Sequence, residues 1–194
     1  MQSWSALIDQ LRDPTIPLSF ILNWITVESA GNPCAFGSAT AKGPDGNPLE
    51  MGLGQLYNPD DFRALGITPS TWRTYCLAGT QTVTRDLTAD ECKSQVNGLP
   101  GLINRCRTTA RKYCVGWAET SGDFLACVKL CHGLPGLVTF GLAAVAKKLG
   151  RNPVSFNEFS TTVVTVTLDA NTMKYARSFA KVLANAKKTA GITG

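Results

Sequence analysis

Apolar positions recur at helical spacing along most of this chain. Trp4, Leu7, Ile8 and Leu11 share one face of a segment covering about residues 3–12, which Asp13-Pro14 closes. A second apolar stretch runs over residues 18–27, with Pro17 near its start, where the fixed φ of proline suits a first helical turn. Glu28 ends that helix. Ser29-Ala30-Gly31-Asn32-Pro33 then breaks it, because Gly31 and Asn32 accept left-handed backbone and Pro33 bars continuation. Residues 37–48, rich in Gly, Pro, Asp and Asn, predict a loop. Pro59-Asp60-Asp61-Phe62 reads as a helix start with acids suited to the first turn. Weak periodicity and many threonines over residues 66–97 predict an irregular or partly helical insert. Residues 99–113 and 122–149 are helical by spacing, the second stretch interrupted near Gly133-Leu134-Pro135-Gly136. The β-branched run 163–168 predicts a short extended piece. A final amphipathic helix is expected over about residues 171–188, capped by Asp169 or Asn171. The simplest architecture is one mainly α domain over residues 1–194.

Composition narrows the class without choosing a function. Hydrophobic residues are 44% and charged residues 17% of the 194, an ordinary globular balance that argues against disorder. The net charge of +5 suits a polyanionic partner, either nucleic acid or an acidic wall polymer. The basic residues are dispersed, with short pairs at Lys147-Lys148 and Lys187-Lys188, so no nucleic-acid partner is expected. No apolar run approaches the ~20 residues that span a bilayer, so stable membrane insertion is not expected. The first residues lack the basic start and apolar stretch of a secretory signal. Oligomeric state is left open.

Seven cysteines occur, at 34, 76, 92, 106, 114, 127 and 131, with no C-x-x-C pair and a single His132 beside Cys131. That spacing does not suit zinc, and no metal or cofactor is expected. The plain expectation is buried thiols in a reduced compartment. Cys76 and Cys92, flanking a polar stretch, are the pair expected to bridge outside a cell. An odd count leaves at least one thiol unbridged in a monomer.

Three segments offer chemistry. In Glu28-Ser29-Ala30-Gly31-Asn32-Pro33, a glutamate ends an apolar helix, where the dipole disfavours an anion and partial burial favours the protonated, proton-donating form. An exposed helix-end Glu beside an ordinary turn is the plainer alternative for this fragment alone. In Glu50-Met51-Gly52-Leu53-Gly54-Gln55-Leu56, two glycines permit close backbone approach to a ligand and Gln55 supplies an amide; a tight loop joint explains it equally well. The third is Cys131-His132-Gly133-Leu134-Pro135-Gly136, followed by Asn171-Thr172-Met173-Lys174-Tyr175. There His132 and Tyr175 are also ordinary as structural residues.

Taken in order, these segments resemble the soluble lytic transglycosylases and goose-type lysozymes, which carry E-S-x-x-N-P, G-L-M-Q, Y-N-A-G-x-G and E-T-x-x-Y. Glu28 to Pro33 matches the first. Gly52 to Gln55 matches the second, with Gly54 in place of methionine. In the third, Cys131 and His132 stand where the family has Tyr-Asn, while Pro135 and Gly136 are kept. In the fourth, Thr172 and Tyr175 are kept and Asn171 replaces glutamate. The resemblance spans about residues 18–185.

It implies a mainly α, lysozyme-like fold with a substrate cleft, acting on peptidoglycan glycan strands. Glu28 would protonate the glycosidic oxygen between N-acetylmuramic acid and N-acetylglucosamine. It would then act as base on the muramoyl 6-hydroxyl, giving a 1,6-anhydro product. Ser29, Ser38, Gly52, Gln55, His132 and Tyr175 would contact the sugar. A second carboxylate, Glu50 or Asp45, would instead activate water and make the enzyme a muramidase. A wall-binding module without activity is the remaining wall-directed alternative, and a basic helical nucleic-acid binder is disfavoured by the dispersed charge. Wall cleavage without an export signal suits a phage-encoded enzyme, in the virion or released from the host cytoplasm towards the periplasm. It also suits an enzyme of a bacterial secretion system.

Overall fold

The computed structural model describes residues 4–38, 40, 42, 48–57, 72 and 74–193. They are mainly helical, as the spacing leads one to expect. In chain order come α1 (Ser5–Leu11), α2 (Leu18–Ser29), β1 (Glu50–Met51), β2 (Leu56–Tyr57), α3 (Ala89–Tyr113) and α4 (Gly122–Gly133). A π-helical turn (Leu137–Gly141) leads into α5 (Leu142–Leu149), followed by α6 (Phe156–Val163), α7 (Ala170–Met173), a 3-10 turn (Ala176–Ser178) and α8 (Phe179–Ala190). The helix start expected at residues 59–62 lies outside the described residues, as does Asp45. No helix among the described residues is long and apolar enough to cross a membrane. The chain divides into two compact units, residues 1–102 and 103–194, and the division falls within α3.

In the first unit, α1 and α2 pack together and bury Ile8, Phe20, Ile21, Trp24 and Ile25. Phe20 and Trp24, one turn apart, meet edge to face at 5.7 Å between ring centres, the arrangement their quadrupoles favour. Strand β1 pairs antiparallel with β2, Glu50 opposite Tyr57 and Met51 opposite Leu56. On the other side of β1, Phe36 bridges to Met51. Helix α3 starts ten residues before the expected 99. Thr88 and Glu91 close a reciprocal cap there, with Thr88 N–H donating to Glu91 Oε2 at 2.8 Å and Glu91 N–H to Thr88 Oγ1 at 3.3 Å. The early turns escape the periodicity because one buried position of the stripe Cys92, Gln95, Val96, Leu99 is an amide.

Cys34 is bridged to Cys76, with Cα atoms 5.5 Å apart. The pairing of Cys76 with Cys92 is therefore incorrect. Cys92 sits on the buried stripe of α3, its thiol facing Leu87 O at 3.9 Å. The expectation of reduced thiols throughout is corrected by the same bridge and by Cys114–Cys127 in the second unit.

Glu91 carries a further consequence for acid stability. Both its oxygens accept from Arg85, at 2.7 and 2.8 Å, and this pairing holds its carboxyl down from 4.5 to about 2. A carboxyl lowered on folding stabilises the native state above its ordinary range. That contribution fades as pH falls from about 4.5 towards about 2. Because Arg85 is exposed, solvent screening keeps the contribution of the pair small. Urea midpoints of wild type and Glu91→Gln should therefore differ at pH 7 and converge near pH 2. A gap that persists unchanged at pH 2 would refute the assignment.

In the second unit α4 is the central helix, with every residue from Phe124 to Lys129 and Leu130 buried. Ser121 caps it, its Oγ accepting from Phe124 N–H at 3.2 Å. Helix α4 packs most extensively on α8, which contributes Phe179, Leu183 and Ala186, and also meets α6. Residues 163–168 form no strand. Val163 ends α6, whose start is capped by Ser155 accepting from Glu158 N–H at 3.1 Å, and turns follow. The β-branched residues misled because Phe156, Phe159 and Val163 form a helical face just upstream. The last expected helix is broken into α7, the 3-10 turn and α8. Asp169 is its cap, accepting from the N–H groups of Asn171 (3.0 Å) and Thr172 (3.1 Å).

Candidate functional site

Glu28 is the penultimate residue of α2, half-buried, in the helical turn after Trp24. The helix stops there for local reasons. Ser29 Oγ donates to Ile25 O at 3.0 Å and accepts Gly31 N–H at 3.2 Å, drawing the chain back on itself. Ala30 (φ 53) and Gly31 (φ 80) take the left-handed conformations, rather than Gly31 and Asn32. Asn32 acts through its side chain. Its Oδ1 accepts Cys34 N–H at 2.8 Å and its Nδ2 donates to Gln81 O at 2.8 Å. Trp4 Nε1 donates to Gly31 O at 3.1 Å. A cavity of about 350 Å3 lies against this loop, lined by residues including Trp4, Asn32, Pro33 and Leu87.

The turn from Gly52 to Gln55 is built against the residues that follow this helix end. Gly52 N–H donates to Ala35 O at 2.9 Å and Gly37 N–H to Glu50 O at 3.2 Å. Trp24, fully buried, donates from Nε1 to Gly54 O at 3.4 Å. Glu28, four residues after Trp24, lies one turn further along the same side of α2. Gln55, only 4% exposed and at φ 52, donates from Nε2 to Gly52 O at 3.0 Å. Its amide shapes the turn. Glu50 is exposed on β1; a Cβ placed on Gly37 would overlap its carboxylate and press on Gln55 Oε1 at 3.3 Å. Gly37, Glu50 and Gln55 therefore form one close cluster. Ser38 is exposed and shares a hydrogen bond with Thr40 Oγ1 at 3.0 Å.

The residue that reading the sequence missed is Gln95, 1% exposed on α3. Its Nε2 donates to Pro33 O at 3.2 Å and to the Tyr75 hydroxyl at 2.8 Å, while its Oε1 accepts Leu53 N–H at 3.1 Å. One amide thus ties the loop after Glu28, the turn after Glu50 and the Tyr75 segment together. The usable signal was a glutamine on an apolar helical stripe. Burial pushes the Tyr75 hydroxyl up, opposed by its bond from Gln95.

Gly52 adopts φ +81, and a Cβ there would meet Gln95 Oε1 at 2.7 Å. Gly52→Ala therefore combines left-handed strain with displacement of a buried amide, and should cost about 2 kcal/mol in urea unfolding. A midpoint equal to wild type would show that Gln95 moves aside freely.

The third and fourth segments meet in the second unit. Gly136 packs so closely on Thr172 that a Cβ there would overlap its Oγ1. Thr172 is buried, and Oγ1 donates to Asp169 Oδ2 at 2.5 Å, a bond that lowers the Asp169 carboxyl. Thr172 is thus a packing and capping residue. His132 is half-buried near the end of α4, while Tyr175 is 56% exposed beside the 3-10 turn. Asn171 is exposed and accepts from Lys174 Nζ at 3.1 Å. Among the described residues no three His, Cys, Asp or Glu side chains converge as a metal site.

Compared with protein-family models, with curated proteins and with solved structures, the chain matches none.

Proposed function

We propose that this chain is a lytic transglycosylase with a lysozyme-like fold. It would cleave the β-1,4 bond between N-acetylmuramic acid and N-acetylglucosamine in bacterial peptidoglycan. The observation that carries the reading is the joining of two distant segments in one unit. Glu28-Ser-Ala-Gly-Asn-Pro33 and Gly52-Leu-Gly-Gln55 are tied by Trp24 on Gly54, Gly52 on Ala35, and Gln95 on both Pro33 and Leu53. A coincidence of two unrelated turns does not require such shared support.

In this mechanism Glu28 is the only protein group asked to move a proton. It protonates the departing glycosidic oxygen as the anomeric carbon gains oxocarbenium character. The resulting carboxylate takes the proton from the muramoyl 6-hydroxyl as that oxygen attacks, and so returns to its starting state. The muramoyl acetamido group supports the cationic carbon. A fixed carboxyl suits both steps because the hydrogen bonds around Ser29 and Asn32 hold the end of its helix. The two disulfides suit work outside the reducing cytoplasm.

Glu50 favours a second reading. An exposed carboxylate on β1, next to Gln55, would activate water, which an inverting hydrolase does with its two carboxyls roughly 6.5–9.5 Å apart. The products distinguish the two. Purified peptidoglycan should be cleared by the intact chain and release muropeptides with 1,6-anhydro ends, lighter by one water than reducing ends. Reducing ends would establish the muramidase instead. Absence of any released fragment would sink both and leave a wall-binding module.

A further inference from the structure

We propose that Cys106 and Cys131 are a thiol–disulfide exchange pair, Cys131 attacking an external disulfide and Cys106 resolving the adduct to close a third cross-link between α3 and α4. Both residues lie in the second unit, Cys106 buried and Cys131 half-buried. Their thiols are hydrogen-bonded to each other. The contact is nested outside an existing bridge: Cys114, just after α3, is bonded to Cys127 on α4, and Cys106 and Cys131 lie further along the same two helices. The sulfurs are therefore already held together by chain that the first bridge constrains.

The surroundings divide the roles. Thr109, one turn beyond Cys106, hydrogen-bonds Cys131, and Cys106 donates to it as well. These bonds, the one from Cys106 foremost, lower the Cys131 thiol against the opposing effect of burial, and its partial exposure makes it the sulfur that an external disulfide can reach. The same bond and burial raise Cys106, which stays protonated while Cys131 is ionised. Lys129, only 4% exposed on α4, and Arg105 bring positive charge to Cys106. Cations near a buried thiol favour its thiolate once the partner is consumed.

The reaction balances with a small-molecule disulfide as oxidant. The Cys131 thiolate attacks one sulfur of the donor, forming a mixed disulfide and expelling one donor thiolate. Cys106 then loses its proton, attacks Cys131 Sγ and expels the second thiolate. Two electrons pass from the cysteine pair to the donor, and its two thiolates take up the two protons. Closure clamps the end of α4 that carries His132. The exchange chemistry itself is independent of glycan cleavage.

The test is peptide mapping of the intact chain after incubation with oxidised glutathione at neutral pH and alkylation under non-reducing conditions. Wild type should yield a Cys106–Cys131 linked peptide and leave Cys92 as the cysteine that alkylates on unfolding. Cys106→Ser should accumulate a stable glutathione adduct on Cys131, and Cys131→Ser should leave Cys106 unmodified in the folded protein. Before oxidation, Cys131 should alkylate at least about fivefold faster than Cys92 in the folded protein. Continued alkylation of both Cys106 and Cys131 after oxidation overturns the proposal. So does Cys106→Ser without an adduct on Cys131. If a serine variant fails to fold, as far-ultraviolet circular dichroism would reveal, the wild-type peptide map decides alone.

Discussion

Glu28→Gln should reduce clearing of purified peptidoglycan by about 10²–10⁴-fold, the range expected for loss of a general acid. Glutamine keeps the size of the side chain and its capacity to hydrogen-bond, but carries no transferable proton. The fold should not change, because what ends α2 is the Ser29 hydroxyl, the left-handed Ala30 and Gly31, and the Asn32 side chain. Urea stability within about 0.5 kcal/mol of wild type is the matching expectation for a half-buried helix-end substitution. Binding to insoluble peptidoglycan should survive, so that loss of clearing with retained sedimentation isolates the chemical step. Equal clearing by wild type and Glu28→Gln would remove Glu28 from the mechanism. If clearing is lost on Glu50→Gln as well, with reducing ends in the wild-type products, a water-activating carboxylate is the better account.

Removing the Cys34–Cys76 bridge should have the largest effect on stability. The bridge closes a loop with a sequence separation of 42, and a cross-link of that span restricts the unfolded chain by about 4 kcal/mol. Both cysteines are buried, 0% and 1% exposed, so the paired Cys34→Ala/Cys76→Ala substitution also deletes packed sulfur. For a chain of this length the melting midpoint should fall by about 10 °C. Cys34 directly follows Pro33, whose carbonyl is held by Gln95 and Trp72. Loosening it frees the segment that joins Glu28 to β1. Clearing by the double variant should therefore fall well below the melting midpoint, while wild type remains active to near its own. A midpoint within about 2 °C of wild type would mean that the unfolded chain is already compact between these positions.

Much of the helical layout was legible because it depends on local periodicity. Ser5–Leu11, Leu18–Ser29 and the interruption after Gly133 all follow from apolar spacing and from Gly and Pro at the breaks. The errors fell where a tertiary contact outweighed that signal. Gln95 hid the first turns of α3 because its value lies in three partners from distant segments. Chain proximity favours Cys92 as the partner of Cys76, whereas the fold places Cys34 beside it. β-Branched residues favour strands, yet Val163 completes the apolar face of α6 with Phe156 and Phe159.

The candidate site divides the same way. By itself the sequence determined that Glu28 lies at the C-terminal end of an apolar helix that stops before Pro33, since helix length and termination are set by residues within a few positions of one another. For Gly52 and Gln55 it left a ligand-approaching backbone and a tight joint as equal alternatives. Tertiary structure decided that Gly52 to Gln55 form a turn bonded to Trp24 of α2 and to Ala35 beyond it, that Gln55 is turned inward, and that Glu50 stands exposed beside it. It also decided which cysteines bridge and which two remain as neighbouring thiols. These are contacts between segments tens of residues apart. They depend on how buried surfaces from the whole unit fit together, which local patterning along the chain does not encode.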